Sequence, residues 1–593
     1  MRQTIRKVTI GAAMVALTAL AAVPVAAQAP TTVRMAITQN DKNWTPFTYQ
    51  TGYPGYNVLT LMYDTLLWHD ASNRVIPWLA SDYQFSPDGL TVDVTLRDGV
   101  KWHDGRPLTA DDVKFTYDYI QEFNHGRFTP QVKGIVESTT VTGPGRLSFR
   151  LSQPSAAFAT APLADVTILP KHVWENIREP YPSVKGESGL AMGSGPYRMA
   201  EYNVDRQYRL VANPDYFMGK PRVDEIILQI IPEANAQVLA LRGGEVDAVA
   251  SNLSHELVRE LSGAPGIRVV TGPDFTTSAL TMNTARPPFD QVKFRQAVGF
   301  AIDVEDLVRT ILGGLGTGGS PGFVHPESPF FKRGLRHEFN LGRANALLDE
   351  LGYTGRDGGT RQSTTGSKLE FQILATSTNP IEVRTAEVVG AMLEKVGIKA
   401  SVEALTSAEK TARTGGFGGQ NPDRNFDFQM TGPTPPTQDD PDRMRTLFET
   451  WTPGAPNLNS GKWSNRRFDE LLKLQAAELD PARRLTIVAE MQDVLATERP
   501  NVILYYRNGG YAHRTAAYTG WVYVTGKGTV DKLSFVSPPQ QAAPAGDDEA
   551  AAAPDDDDGG GGGAGVAVAV VAGAAVVGGL ALLARRRKGV EQE

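Results

Sequence analysis

The residues that come nearest to covalent chemistry are Gly318-Gly319-Ser320-Pro321-Gly322, which fit the G-x-S-x-G pattern of a serine nucleophile. The residue after such a serine must donate its backbone N–H to the oxyanion, and Pro321 has no N–H to give. The motif also follows a helical stretch where a strand is needed, so a hydrolase is not expected. Residues 314–319 resemble a glycine-rich phosphate loop, but no Gly-Lys-Ser/Thr follows and no strand precedes them. They read as a mobile loop. The eight histidines include no pair at i,i+4 and no His-Glu-x-x-His, which leaves a transition metal only a site assembled from distant residues. His103 beside Asp104 falls in an expected turn, where a structural hydrogen bond is its expected role. Asp439-Asp440-Pro441-Asp442 follows an expected strand at 426–431; on that loop the carboxylates either hold an amine or cation or face water. There is no cysteine, which removes disulfides, thiolate metal sites, thiol catalysis and a lipidated N-terminal Cys. No catalytic residue, metal or cofactor is expected.

The elements that must position these residues lie between two unusual ends. Arg2, Arg6 and Lys7, an apolar stretch from Val8 to about Val23, and Ala27-Gln28-Ala29 read as a secretory signal over residues 1–29, cleaved after Ala27 or Ala29; a first transmembrane helix is the alternative. At the other end, residues 564–584 are an uninterrupted run of Gly, Ala, Val and Leu followed by Arg585-Arg586-Arg587-Lys588. As a helix it spans about 31 Å at 1.5 Å per residue, against a hydrocarbon core of about 30 Å. The cations place residues 585–593 in the cytoplasm and everything before 564 outside. A flexible Gly/Ala tail is the alternative. Residues 538–563 carry Asp547, Asp548, Glu549, Asp555 through Asp558 and five successive glycines, which makes a solvated, self-repelling linker. Of the chain's formal −7, about −5 belongs to residues 30–537. A mildly acidic body does not present the basic face that nucleic acid requires.

Within the body, Leu90, Val92, Val94 and Leu96 alternate with polar residues and predict a half-buried strand. Asp98-Gly99 and His103-Asp104-Gly105 predict turns, and Thr109 a helix cap near Asp112. Helical spacing runs over 292–312 and 381–396, and from the Asn340 cap to Gly352. Residues 468–497 predict two helices broken at Asp480-Pro481, and 398–402 and 502–506 predict strands. Strands and helices alternate without a repeat period, which indicates α/β layers.

The run from Leu96 to Val113, containing Asp98-Gly99-Val100-Lys101-Trp102-His103-Asp104-Gly105, resembles the signature of extracellular solute-binding proteins, family 5, the peptide-binding components of ABC importers. Further pieces agree in order. They are Gly193-Ser194-Gly195-Pro196-Tyr197, Asn213-Pro214-Asp215-Tyr216, Leu241-Arg242-Gly243-Gly244-Glu245-Val246-Asp247, Asn283 with Pro288-Phe289, Arg295-Gln296-Ala297 with Ala301-Ile302-Asp303, and Phe468-Asp469-Glu470-Leu471-Leu472. The resemblance spans about 33–537. It implies a two-lobed α/β clamshell of the periplasmic-binding-protein type (type II, cluster C). The first lobe covers 30–282 and 508–537 with an inserted subdomain at about 80–190, the second covers 283–507, and the hinge lies near 281–284 and 507–511. Closure of the lobes on a solute then precedes docking on a permease.

The resemblance also implies site residues. Peptide binders hold the ligand amine with an aspartate where this chain has Thr437, so Asp439 or Asp440 is expected to substitute. Arg384 stands where dipeptide binders place an arginine for the ligand carboxylate, with a solvated helix arginine as the alternative. Tyr53, Tyr56, Phe275, Thr276, Thr277 and Thr434 are expected to line the cleft; aromatic core packing is the other reading of the tyrosines and the phenylalanine. The expected partners are a peptide or other small solute (a nickel chelate, oligosaccharide or opine among them), ABC permease and ATPase subunits, and the membrane. The chain is expected to act as a monomer. A surface sensor built on the same fold is the alternative function.

Overall fold

The computed structural model describes residues 31–38, 55–123, 128–178, 191–203, 206–415, 424–432, 440–452 and 459–537. The expected signal at 1–29, the linker at 538–563, the apolar run at 564–584 and the tail lie outside the described residues. Among those described, no helix is long and apolar enough to cross a membrane.

One large mixed sheet organises the body. Its strands lie in the order Lys399–Leu405, Glu370–Thr376, Phe428–Thr431, Ile267–Met282, Asn501–Arg514, Ala248–Val249, Thr32–Ile37, Glu225–Ile230, Gln207–Ala212 and Tyr197–Asn203. Thr32–Ile37 runs parallel to Glu225–Ile230, and Glu370–Thr376 parallel to Lys399–Leu405 and Phe428–Thr431. Parallel neighbours need a crossover. The helix Pro380–Glu394, capped by Asn379 accepting from the Glu382 N–H, supplies the one between 376 and 399. Ala80–Phe85, Thr91–Leu96, Arg146–Leu151 and Val136–Gly143 form a separate antiparallel sheet, and the predicted alternation holds, with Val92, Val94 and Leu96 buried and Asp93 and Thr95 exposed. The helix Ala110–Glu122 packs Val113, Tyr117 and Ile120 into the same core. Its start differs in detail from the expected cap: the Thr109 N–H and hydroxyl both donate to Asp112 Oδ2, at 2.8 and 2.9 Å.

Several sequence expectations need adjustment. The helical spacing over 292–312 is two helices, Val292–Ala301 and Val304–Ile311, because Asp303 caps the second by accepting from the Asp306 N–H at 3.0 Å. The glycines read as a mobile loop contain the strand Gly316–Gly318, paired with Arg507, Tyr506 and Tyr505. Leu280 and Met282 pack with Phe294, Ile373 and Phe428, and Ala279 with Met444, Trp463 and Tyr506. Val269 and Ala512 instead join Val249 and Leu257. The chain therefore passes from one set of cores to the other inside Ile267–Met282.

The recurring sequence pieces are close-packed joints. A Cβ built on Gly193 or Gly195 would lie 1.9 or 2.7 Å from the Met62 carbonyl oxygen, so only glycine fits beside the end of the helix Gly55–Met62. The Gly193 N–H donates to His103 Nδ1 at 3.2 Å, and His103 Nε2 meets the Gly195 carbonyl at 3.1 Å. This arrangement fixes a neutral imidazole with its proton on Nε2, and burial holds its pKa down at about 4. His103 thus joins two of the sequence pieces across 90 residues of chain.

Candidate functional site

Two strands carry the chain between the cores. Ile267–Met282 pairs antiparallel with Asn501–Arg514 in two stretches separated by a register break between Pro273 and Thr277. Inside that break Phe275 has φ +56°, a left-handed backbone that an aromatic residue adopts only under strain. Its ring is buried edge-on against His325, 5.1 Å between centroids. Asp274 beside it accepts from the Thr276 N–H at 2.8 Å and Asn252 Nδ2 at 3.2 Å, and burial raises its carboxyl pKa.

A cavity of about 480 Å³ opens beside this break, within the size range of small-molecule sites. Strand residues Thr277, Gln429, Thr431, Tyr505 and Arg507 form its floor. Phe448 and Trp463 give an apolar wall, and Thr376, Asn379, Ile381, Glu382 and Lys410 close one side. Tyr505 is held by a 2.9 Å hydrogen bond between its hydroxyl and Thr385. Glu382 is an acceptor for the Thr376 N–H at 2.8 Å and forms a half-buried ion pair with Lys410. Thr277 also belongs to a second recess, of about 40 Å³, lined by Phe275, Phe323, His325, Asp440, Arg443 and Tyr506.

The structure distributes the expected site residues unevenly. Phe275, Thr276 and Thr277 border the two cavities. Asp440 lines the recess, yet its carboxylate is bound by Arg484 Nη1 at 2.9 Å and Nη2 at 2.5 Å and accepts from Thr160 Oγ1 at 2.9 Å. Arg384 is not in the cavity wall: its side chain is 68% exposed and pairs with Glu387 at 3.0 Å. The reason is helical geometry. Residues two apart point to nearly opposite faces, so a helix that turns Glu382 into the cavity turns Arg384 to solvent. Tyr56 lies in the helix Gly55–Met62, with its side chain outside the description, and Tyr53, Thr434 and Asp439 lie outside the described residues. Reading the sequence missed Glu382, Lys410, Arg443 and Arg507. Arg507 alone had a signal, its position in an expected crossover. Among the described residues no cluster of His, Asp or Glu is arranged to hold a metal ion.

Two hydrogen bonds here join distant parts of the chain. Thr160 follows Phe158 and Ala159 of the first core, and its hydroxyl reaches Asp440 across 280 residues of chain. Nearby, the Ala156 N–H donates to the Ala476 carbonyl at 2.7 Å.

Comparison with known proteins agrees with this architecture. Residues 74–454 match the model of bacterial extracellular solute-binding proteins, family 5. The oligopeptide-binding protein AppA of Bacillus subtilis is 26% identical over 473 residues, 78% of this chain and 84% of AppA. The glutathione-binding protein GsiB of Salmonella typhi is 26% identical over 466 residues, covering 78% and 86%. Among solved structures, B. subtilis AppA in complex with a nonapeptide superposes with a TM-score of 0.68 at 24% identity, over 86% of this chain and all of that one. NikZ of Campylobacter jejuni with Ni(L-His) gives 0.70 at 21% identity, over 85% and 99%. These likenesses establish the two-lobed α/β fold of periplasmic binding proteins. With its family pieces accounted for as joints and its cores divided by a pair of crossing strands, the chain belongs to the bacterial extracellular solute-binding proteins, family 5.

Proposed function

We propose that this chain is the substrate-binding subunit of an ABC importer, capturing a peptide or similar small solute outside the membrane and releasing it unaltered to a permease. The observation that carries the reading is the cavity at the crossing strands, walled by polar strand residues and two aromatic rings, in a member of this family. Relatives described as binding peptides and glutathione support the solute class. The structure with Ni(L-His), and that of AgaA with agropinic acid, support keeping metal chelates and opines within its range. No chemistry on the solute is required. Mass spectrometry of material released by denaturing the purified protein is expected to recover a small solute with its covalent structure intact. Recovery of cleaved products from an added peptide would overturn the reading.

The proposed lobes are 30–282 with 508–537 and 283–507, with the insert at about 80–190. We propose a hinge upstream of 281–284, at the register break of 273–277, with the facing residues 507–508. Ligand shifts the population toward the closed form in proportion to its differential contacts there. The Thr160–Asp440 and Ala156–Ala476 hydrogen bonds then act as a latch between lobes. Thr160→Val removes a donor to a buried, charged acceptor, worth about 1.5–3 kcal/mol, of which the closed state alone bears the loss. Solute affinity is expected to fall about tenfold or more with the fold intact, measured by titration calorimetry. Unchanged affinity would exclude the latch.

For placement, the signal at 1–29 and the helix at 564–584 are proposed to export the body and to tether it to the cell membrane at high local concentration near its permease.

A further inference from the structure

We infer that the cavity is built for an anionic solute, one that presents a carboxylate or comparable oxyanion and no uncompensated ammonium; this deepens the solute-binding reading and rests on it. The inference follows from which wall charges already have partners. Both carboxylates of the two cavities are neutralised. Glu382 is paired with Lys410, with side chains only 17% and 13% exposed, and Asp440 is held in a two-point pair by Arg484, at 8% and 7%. Neither is open to receive a ligand amine.

The guanidinium groups are in the opposite position. Arg443 lines the recess and Arg507 the main cavity, and neither reaches ion-pair distance of a carboxylate among the described residues. Arg443 Nε is fully buried with no hydrogen-bond partner. Burial lowers the Arg443 pKa to about 10, which leaves it charged at neutral pH. Arg507 feels the field of Asp274, a carboxylate that is not among the wall residues of either cavity. The two spaces adjoin: Thr277 belongs to both walls, and Arg507 directly follows Tyr506 of the recess. A buried cation without a counter-charge is unfavourable. Two half-buried guanidinium groups bordering adjoining cavities, one of them with its Nε buried and unpartnered, and no unpaired carboxylate in either wall among the described residues, favour an occupant that brings the negative charge itself. The planar donor fork of arginine suits a carboxylate through paired N–H bonds. The Arg384 assigned from resemblance is thereby replaced by Arg443 and Arg507.

The test uses the intact purified protein and three probes that differ only in their end charges: N-acetyl-trialanine (carboxylate only), trialanine (both charges) and trialanine amide (ammonium only). Titration calorimetry is expected to rank them in that order, with the first binding at least about tenfold tighter than the last and weakening as salt rises. Arg443→Gln and Arg507→Gln should each weaken the acetylated probe about tenfold while leaving the amide unchanged, and the Lys variants should recover part of the loss. Equal or tighter binding of the amide overturns the inference, as does wild-type binding of the acetylated probe by Gln variants of normal melting temperature. If none of the three binds, the solute released from the purified protein decides. An anion supports the inference, and an uncharged or cationic solute overturns it while leaving the importer reading standing. Release of no solute, with no binding, overturns both.

Discussion

Lys532→Met is expected to destabilise the fold by about 3–5 kcal/mol, the loss that follows when one partner of a buried ion pair is removed. Lys532 and Asp64 are both fully buried, 2.6 Å apart. The ammonium also donates to the Tyr63 carbonyl at 3.1 Å and lies 4.3 Å from the centre of the Trp68 ring. Asp64 in turn accepts from Trp78 Nε1 at 2.8 Å, Ser194 Oγ at 3.0 Å and the Tyr216 hydroxyl at 3.0 Å. Burial pulls the Lys532 pKa down, and the attraction of Asp64 opposes that shift. Without the cation, the carboxylate keeps three neutral donors and an uncompensated charge in an interior of tryptophan and tyrosine. Asp64→Asn combined with Lys532→Met removes that charge and should recover part of the loss. Urea unfolding followed by tryptophan fluorescence reads the change; a loss below about 1 kcal/mol would show that water reaches this site.

Stability is expected to fall steeply between pH 6.5 and 4. Burial is the main cause that lowers His69 to about 3 and His103, His325 and His337 to about 4, from an ordinary 6.5. Unfolding frees these rings to bind protons in that window, so the unfolded state holds more protons than the native one. The stabilisation is complete above pH 6.5 and is lost as the pH falls through the native pKa values. Each ring contributes a slope of about 1.4 kcal/mol per pH unit while it lies inside the window. Asp274, whose carboxyl burial raises, acts in the opposite direction but is one group against five, since burial also lowers His513 to about 4. Urea midpoints at pH 7, 5.5 and 4.5 test this, with His337→Gln expected to flatten the profile. Equal midpoints at pH 7 and 5 would contradict it.

Much of the framework was legible because short-range chemistry decides it. Asn340 accepts from the Arg343 N–H as its position implied, Asp480 caps the second of the two helices that part at Pro481, and Gly352 takes a positive φ after the helix Leu341–Glu350. The long strand Ile267–Met282 was not recognised, since Gly272-Pro273 and the strained Phe275 interrupt its alternation where the partner strand slips register. The cavity was the least legible part. Glu382, Lys410 and Arg507 of the cavity and Arg443 of the adjoining recess come from four separate elements or their ends, and only the tertiary pairing of Asp440 with Arg484, 44 positions away, shows which cations are left over. Arg384 illustrates the limit from the other side: the residue type was suitable and its helix correct, but the helical rotation was not.

The route of the chain after Arg514 has a mechanical consequence. Val524, Leu533 and Val536 pack with Trp68, Trp78 and Tyr216, Phe535 joins the first core, and Arg222 Nη2 grips Ser537 Oγ at 2.8 Å. A pull arriving from beyond residue 537 would therefore be borne by the core that holds Trp68, Trp78 and Phe535, where Lys532 is riveted to Asp64.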